Sequence, residues 1–351
     1  MDTRPHVAVV MTALNEERFI QSAVESILGQ THKELSLVVV DDGSTDATND
    51  ILHRLAKTDS RLKVVRNETN LGLAGAANVG LANASGDCVA RMDADDISLP
   101  QRVETQLQAF RDNPRLVLCG SNTIQIDAAG RTRALAQWPQ DPDVMRWYAI
   151  FRPPLAQSTA MLRGDLVRDG LRYDDTLVTA EDFELWSRML RQGEILVLST
   201  PLIRYRVHPR NTTRILRREM ARDAAMVCSD NLTRAFPDYF SNTGNDTAKR
   251  IGEFVQGGRP LVLAQVSDAI QALVAVEEHY LASHPQMANQ SRRAVEQLTT
   301  RWITQAITQK AKLTRLQQLR GLLQLRSRLG TLAGEGLSFL RRRLEVRRFA
   351  D

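Results

Sequence analysis

No run in this chain is apolar enough to cross a bilayer as a helix. A spanning helix needs roughly 18 or more uninterrupted apolar residues, and nothing here approaches that. The first apolar run, Val7–Met11, is too short for the core of a secretory signal and leads straight into regular structure. Cysteine is scarce. Cys88, Cys119 and Cys228 are odd in number and far apart. They suit a reducing compartment and match no zinc or redox spacing. The segment after the first apolar run, Thr12 to Glu17, lacks the glycines and the Arg or Lys of a nucleotidyltransferase loop. Aromatic residues are 5% of the chain and are not interleaved with the basic residues of the tail, so no nucleic-acid partner is expected. No internal repeat is present.

What is there is an uneven distribution of charge. The net charge of +5 conceals 23 basic against 28 acidic residues in 1–208, and 23 against 13 in 209–351. The last stretch, 310–351, carries 11 basic and 3 acidic residues. The front half reads as an acidic, metal-using domain, and the tail as a surface for an anionic partner such as a membrane. The length of 351 residues with 43% apolar content suits two modest domains or one large domain with an extension.

Short apolar runs alternate with amphipathic ones. Strands are expected at Val7–Met11, Leu35–Val40, Leu62–Val65, Cys88–Met92 and Leu116–Cys119. Helices are expected at Glu16–Leu28, 46–57, Leu73–Asn83 and Pro100–Arg111. That alternation predicts an α/β fold with a mostly parallel sheet covered by helices on both faces. A hairpin is expected around Ala128–Gly130, a strand at Ser158–Leu162, a helix at Thr179–Leu190, and two strands at Ile195–Leu198 and Leu202–Val207. Residues 211–351 read as helical, with breaks near Gly257-Gly258 and Gly334–Gly336.

In such sheets, ligands bind beyond the carboxyl ends of the strands. Three polar clusters fall there: Thr12–Asn15, Asp41-Asp42 and Asp93–Asp96. The last, within Arg91-Met92-Asp93-Ala94-Asp95-Asp96, is the most informative. Its three carboxylates repel one another unless a cation shares the site. A hard divalent ion held by carboxylates and substrate phosphate oxygens is the usual solution.

Four separated motifs, Asp41-Asp42-Gly43-Ser44, Arg91–Asp96, Glu181-Asp182-Phe183-Glu184-Leu185-Trp186 and Tyr205-Arg206-Val207-His208, stand in the order found in the inverting family 2 glycosyltransferases of the GT-A fold. The chain resembles the non-processive bacterial members over roughly residues 5–215. The resemblance implies a GT-A catalytic domain over 1–210, followed by a helical, basic region over 211–351. It implies that Thr12, Asn15, Asp41, Asp42, Asn70, Gly72 and Asn78 border the nucleotide. It implies that Asp93 and Asp95 are the ends of a DXD motif, with Asp95 on Mn²⁺ or Mg²⁺ and Asp93 facing ribose or a metal-bound water. His208 would complete the metal shell, and Arg206 would approach phosphate. Asp182 would be the catalytic base.

Several of these residues carry a second reading. Asp42-Gly43-Ser44 also suits a turn that caps the next helix. Asp96 suits helix capping. Glu181 competes with Asp182 as base, and both acids suit the positive end of a helix. Trp186 would stack on an acceptor sugar or, as the favoured reading, anchor its helix in the core. His208 would also serve a structural role. Ala77 stands where many members carry Arg, which removes one phosphate or base contact. Gln297 and Arg301-Trp302 echo the Gln-X-X-Arg-Trp motif of processive synthases, but three residues separate Gln from Arg, so the match is read as chance.

The resemblance implies a metal-dependent hexosyltransferase with a UDP-, dTDP- or GDP-linked sugar as donor. Its acceptor would be a hydroxyl of a glycan or polyprenyl-linked glycan in bacterial surface-polysaccharide synthesis. The expected location is cytoplasmic, peripheral on the inner face of the membrane. Leu313, Leu316, Leu319 and Leu323, interleaved with Arg315, Arg320, Arg326 and Arg328, suit a basic amphipathic helix on anionic lipid; packing on the protein or self-association is the alternative. The rival function is a non-catalytic, regulatory sugar-nucleotide-binding protein at a membrane surface, which would have no need of a base at 182.

Overall fold

The computed structural model of the protein describes residues 5–257 and 263–307. The basic leucine-rich tail and the break expected at Gly334–Gly336 lie outside them. Two compact units form. One comprises the described residues up to Met145 together with Arg152–Met220; the other comprises Arg146–Phe151 and the described residues from Ala221 onward.

The first unit begins with the expected alternation: β1 (Val7–Ala13), α1 (Ile20–Leu28), β2 (Leu35–Asp41), α2 (Thr48–Ala56), β3 (Leu62–Arg66), α3 (Gly72–Asn83), β4 (Cys88–Asp93), the short β5 (Ile97–Ser98) and α4 (Arg102–Asp112). Then come β6 (Leu116–Asp127), β7 (Thr132–Ala136), α5 (Pro142–Phe151, of which Arg146–Phe151 belongs to the second unit), β8 (Met161–Arg163), α6 (Gly164–Arg168), α7 (Glu181–Met189), β9 (Glu194–Val207) and α8 (Thr212–Ile215). The strands form one sheet in the order β3-β2-β1-β4-β8-β6-β9-β5, with β7 on β6. β3, β2, β1 and β4 pair parallel, as short strands joined through helices must. Beyond β4 the sheet becomes mixed. β8 runs antiparallel to both β4 and β6, β7 to β6 and β5 to β9, while β6 and β9 pair parallel.

The core is the apolar face of this sheet. Val7, Val9 and Met11 of β1, Leu37 and Val39 of β2, and Ala90 and Met92 of β4 pack with Ile20, Val24 and Ile27 of α1. On the other face α3 lies close to the sheet because Gly80 has no side chain. A Cβ there would stand 2.3 Å from Val10 Cγ1. Gly80→Ala is expected to destabilise by about 1–3 kcal/mol, read as a fall in the denaturation midpoint at unchanged slope.

Two boundaries differ from expectation in ways that matter for the site. The first helix begins at Ile20 rather than Glu16, because Glu16–Phe19 form a turn whose Glu16 carbonyl accepts the N–H groups of Phe19 and Ile20. The later one begins at Glu181 rather than Thr179, because Ala180 sits in the left-handed region at φ 59°. The expected strand at Ser158–Leu162 is a 3₁₀ turn at Gln157–Thr159 followed by β8.

α9 (Arg217–Ala235), which passes from the first unit to the second after Met220, is followed in the second unit by α10 (Pro237–Thr243), α11 (Asn245–Gln256), α12 (Leu263–Ser283) and α13 (Asn289–Gln305). α11 stops at Gly257, at φ 72°, as expected. Trp147, Phe151, Tyr280 and Trp302 form an aromatic centre with ring centroids 4.8–6.5 Å apart, and the Trp147 indole N–H donates to Thr299 Oγ1 at 3.2 Å. Trp302 is thus a core residue. No helix among the described residues is long and apolar enough to cross a membrane.

Candidate active site

Register brings the carboxyl ends of three strands level. Ala13 pairs with Asp41 across β1–β2, and Thr12 with Asp93 across β1–β4. Over this rim lies a cleft of about 780 Å³, lined within the first unit by Thr12, Asn15, Asp42, Asp93, Asp95 and Asp182, among others.

The acidic turn after β4 is clamped from the end of β9. Asp95 Oδ2 lies 2.9 Å from His208 Nε2 and accepts the Asn211 amide at 3.1 Å. The Arg206 backbone N–H donates to Asp96 Oδ1 at 2.7 Å, and its Nε donates to the Asp95 carbonyl at 2.7 Å. Asp93 Oδ2 accepts the Ser158 hydroxyl at 2.6 Å. His208 Nδ1 accepts the Arg210 N–H at 3.2 Å, so Nε2 carries the proton toward Asp95. Burial, with Asp95 close by, raises the pKa of both Asp93 and Asp96.

Two buried arginines lie beneath this turn, and sequence reading did not single them out as partners of the acids. Arg91 Nη1 donates to the Val10 carbonyl at 2.9 Å. Arg102 Nη2 donates to the Arg91 carbonyl at 2.7 Å and to that of Ala160 at 3.2 Å, while Nε reaches Gln106 Oε1 at 3.0 Å. Burial lowers the Arg102 pKa to about 10, and Asp96 opposes that shift. A buried arginine is tolerable only beside compensating charge. Arg91 falls inside an otherwise apolar strand, and that anomaly is the signal the sequence offered.

At the β2 end, Asp42 accepts the Asn67 amide at 2.7 Å and the Leu71 N–H at 2.9 Å on Oδ1, and the Gly72 N–H at 3.1 Å on Oδ2. Gly72 needs to be glycine, at φ 76°, and Asn70 Oδ1 accepts the same N–H at 2.8 Å. Asn15 is itself left-handed, at φ 56°, and its side chain accepts the Thr45 N–H at 2.8 Å.

Three expected contacts are relocated. Asp41 is fully buried outside the cleft, accepting the Ser44 N–H at 2.9 Å with Arg66 Nη1 at 3.2 Å. Asn78 spends its amide on the Tyr173 backbone, donating at 3.0 Å and accepting at 2.8 Å. Arg206 is not a cleft residue either; its guanidinium holds the Asp95 and Asp127 carbonyls and lies 4.5 Å from the Phe19 ring centroid. Asn78 and Arg206 are consumed by contacts distant in sequence, while Asp41 is turned to Ser44, three residues on, and to Arg66. Ala77 is buried and does not line the cleft. The basic side chain lining the cleft, among the described residues, is Arg210, whose Nη2 donates to the Asn15 carbonyl at 3.2 Å. Glu16 also lines it, and burial, reinforced by Asp95, pushes its carboxyl up to about 7.

Opposite the acidic turn, α7 opens on Glu181 and Asp182. Asp182 Oδ1 accepts the Phe183 N–H at 2.7 Å, an unpaired donor of the helix start. Burial raises Asp182 to about 6 against that hydrogen bond. Glu181 is pushed up to about 8 by burial and by Asp182 beside it. Both carboxyls are raised, Glu181 further than Asp182, so Asp182 is the readier of the two to ionise. Trp186 is fully buried.

A carboxyl whose folded pKa lies above its unfolded value supports the fold below the unfolded pKa and loses that support as pH rises through the folded one. For Glu181 that window runs from 4.5 to about 8. Glu181→Gln is therefore expected to stabilise at pH 8.5 by on the order of 1 kcal/mol, ~3 °C in Tm, and to give no gain at pH 5. Thermal melts at the two pH values check this.

Residues 8–169 match the family description Glycosyl transferase family 2. The putative glycosyltransferase EpsE of Bacillus subtilis is 34% identical over 198 residues, 55% of this chain and 69% of the relative. The amylovoran biosynthesis glycosyltransferase AmsE of Erwinia amylovora is 32% identical over 189 residues, 53% and 70%. Among solved structures, the mannosyltransferase PcManGT from Pyrobaculum calidifontis, in complex with GDP-Man and Mn²⁺, superposes with TM-score 0.53 at 17% identity, over 92% of this chain and 87% of that one. TarS 1–349 of S. aureus in complex with UDP gives 0.51 at 21%, over 86% and 90%. The chain spans 55% of the longer TarS chain. These two likenesses identify a GT-A sheet with helices at its C-terminal end. The matched segment contains the first three strand ends and the acidic turn, and both relatives exceed 30% identity across more than two thirds of their own length, so this chain belongs to glycosyl transferase family 2.

Proposed function

We propose that the protein is an inverting, metal-dependent glycosyltransferase. It transfers a sugar from a nucleoside diphosphate sugar to a hydroxyl of a glycan or lipid-linked glycan. The observation that carries this reading is the convergence of Asp42, Asp93, Asp95 and Asp182, drawn from three separated motifs, on one cleft.

The donor set supports a metal of the magnesium type. Among the described residues no three His, Cys, Asp or Glu side chains gather into a metal set. The trio Asp93, Asp95 and His208 expected from sequence is not assembled, since Asp93 is turned to Ser158. What remains is Asp95 with His208, 2.9 Å apart. Adjacent donors on one octahedral ion at ~2.1 Å stand about 3 Å apart, so the pair fits such an ion, the rest of its shell coming from diphosphate and water. To bind through Nε2 the ring must take the other tautomer, giving up the contact of Nδ1 with the Arg210 N–H. The ion, when bound, would offset negative charge developing on the leaving diphosphate.

The chain's own residues account for the rest of the reaction. Asp42, Asn70 and Gly72 border the nucleoside. Arg210 meets the diphosphate, the role expected of Arg206. Asp182 takes the proton of the acceptor hydroxyl as that oxygen bonds to the anomeric carbon from the face opposite the departing phosphate. The bond to the diphosphate breaks, and configuration at that carbon inverts. PcManGT with GDP-Man and Mn²⁺, and TarS with UDP, support a nucleotide-sugar donor and a divalent ion. The AmsE likeness supports a polysaccharide pathway. Action on lipid-linked acceptors would place the protein at the cytoplasmic face of the membrane.

Thermal stabilisation by UDP, GDP and dTDP, each with Mn²⁺, Mg²⁺ or EDTA, tests the donor site. One nucleotide is expected to raise Tm with metal and not with EDTA. A folded sample that responds to none would sink the reading. The anomeric configuration of the product, by NMR, tests inversion.

A further inference from the structure

One stretch of the cleft is unused by the residues assigned above. In the sheet order, β6 and its partner β7 stand beyond β4, on the side away from β1 and β2. Thr123, Gln125 and Trp138 line the cleft from there, and Gln157 lines it too. The chain has four tryptophans. Trp147 and Trp186 are 0% exposed and Trp302 is 4% exposed, while Trp138 is only half-buried. Core packing explains the first three and not the fourth.

Trp138 is nonetheless held in place. Its backbone N–H donates to Asn122 Oδ1 at 3.1 Å, and the buried Asn122 donates through Nδ2 to the Ser199 carbonyl at 2.8 Å. The indole N–H makes no hydrogen bond to described residues, and neither do the side-chain amides of Gln125 and Gln157; Gln157 Oε1 is a buried acceptor without a partner. The charged residues of the cleft come from the β1, β2 and β4 ends, the start of α7 and the turn after β9, and none from β6, β7 or Trp138. An indole on an anchored backbone, lining the same cleft as neutral amides, suits a pyranose, whose C–H face packs on an aromatic ring while its hydroxyls meet amides. The lack of cations there disfavours a uronate or a phosphorylated ring.

We propose that Trp138 is the stacking platform of an acceptor subsite for a neutral pyranose. This rests on the glycosyltransferase reading above. Because the other three indoles are buried, acrylamide quenching of tryptophan fluorescence reports mainly on Trp138. The full chain, with Mn²⁺ and the nucleotide that stabilises it, would be titrated with methyl β-glycosides of glucose, galactose, N-acetylglucosamine and glucuronic acid. At least one neutral glycoside is expected to lower the quenching constant twofold or more, and the glucuronide to leave it unchanged. In transfer assays Trp138→Ala is expected to raise the KM for that glycoside tenfold or more, with Trp138→Phe recovering most of the loss; melting curves show whether each variant is folded. If wild type transfers to a neutral glycoside but Trp138→Ala holds KM within twofold, the subsite is overturned and the function stands. If wild type turns over no donor yet a neutral glycoside still protects the indole, the function falls and the subsite stands. Absence of protection by every neutral glycoside overturns the subsite.

Discussion

Asp182→Asn is expected to lower kcat by about 10²–10⁴ while changing donor affinity less than about twofold. The carboxylate contributes a proton acceptor, and the amide keeps its shape without that capacity. The amide carbonyl still accepts the Phe183 N–H that Asp182 Oδ1 accepts at 2.7 Å, so the start of α7 is preserved and the loss is chemical. Glu181→Gln is the control. Burial and Asp182 beside it raise Glu181 further than Asp182, so neutralising it is expected to cost far less. The wild-type kcat/KM should rise with pH through about 6, as Asp182 ionises. A single-turnover assay with saturating donor measures the first effect, and nucleotide titration the second. Equal losses in Asp182→Asn and Glu181→Gln would reassign the base.

Asp95→Asn should abolish metal-dependent stabilisation by nucleotide and lower kcat/KM by about 10²–10⁴. Asp95 Oδ2 faces both His208 Nε2 and the Asn211 amide, so one carboxylate organises the His208–Asn211 turn as well as being the proposed ligand. An asparagine loses the charge and presents N–H groups to donors. Raising Mn²⁺ should recover part of the activity in His208→Ala, where the carboxylate survives, and little in Asp95→Asn. Recovery of Asp95→Asn by metal alone would show that the site lies elsewhere. Titration of turnover against Mn²⁺ separates the two.

The half of the fold from β1 to β4 was legible because its strands are short apolar runs separated by helices with one apolar face, and both patterns are local. The stations at Asp42, Asp93 and Asp95 followed from strand ends, which sequence locates within a residue or two. What was not legible depends on long-range pairing. Ser199-Thr200-Pro201 reads as a break between two strands, yet β9 runs through it, with the β6 register stepping from Ser121–Leu198 to Thr123–Ile203. Asn78 and Arg206 look free in sequence and are claimed by Tyr173 and Asp95, 95 and 111 residues away. Ala180 gives no hint of a left-handed backbone, since alanine has no preference for that region. Trp138 could not be told from a core residue until the other three indoles were seen buried.

α5 divides between the two units at Met145 and Arg146, and this bears on how the protein can be dissected. The natural cut, after the last strand and its turn, would leave Trp147 and Phe151 on the catalytic fragment without Tyr280 and Trp302, the rings they pack against. Such a fragment would bear a bare aromatic face of the kind that drives aggregation. Poor solubility of such a fragment would then report an orphaned helix rather than any failure of the sheet of the first unit to fold.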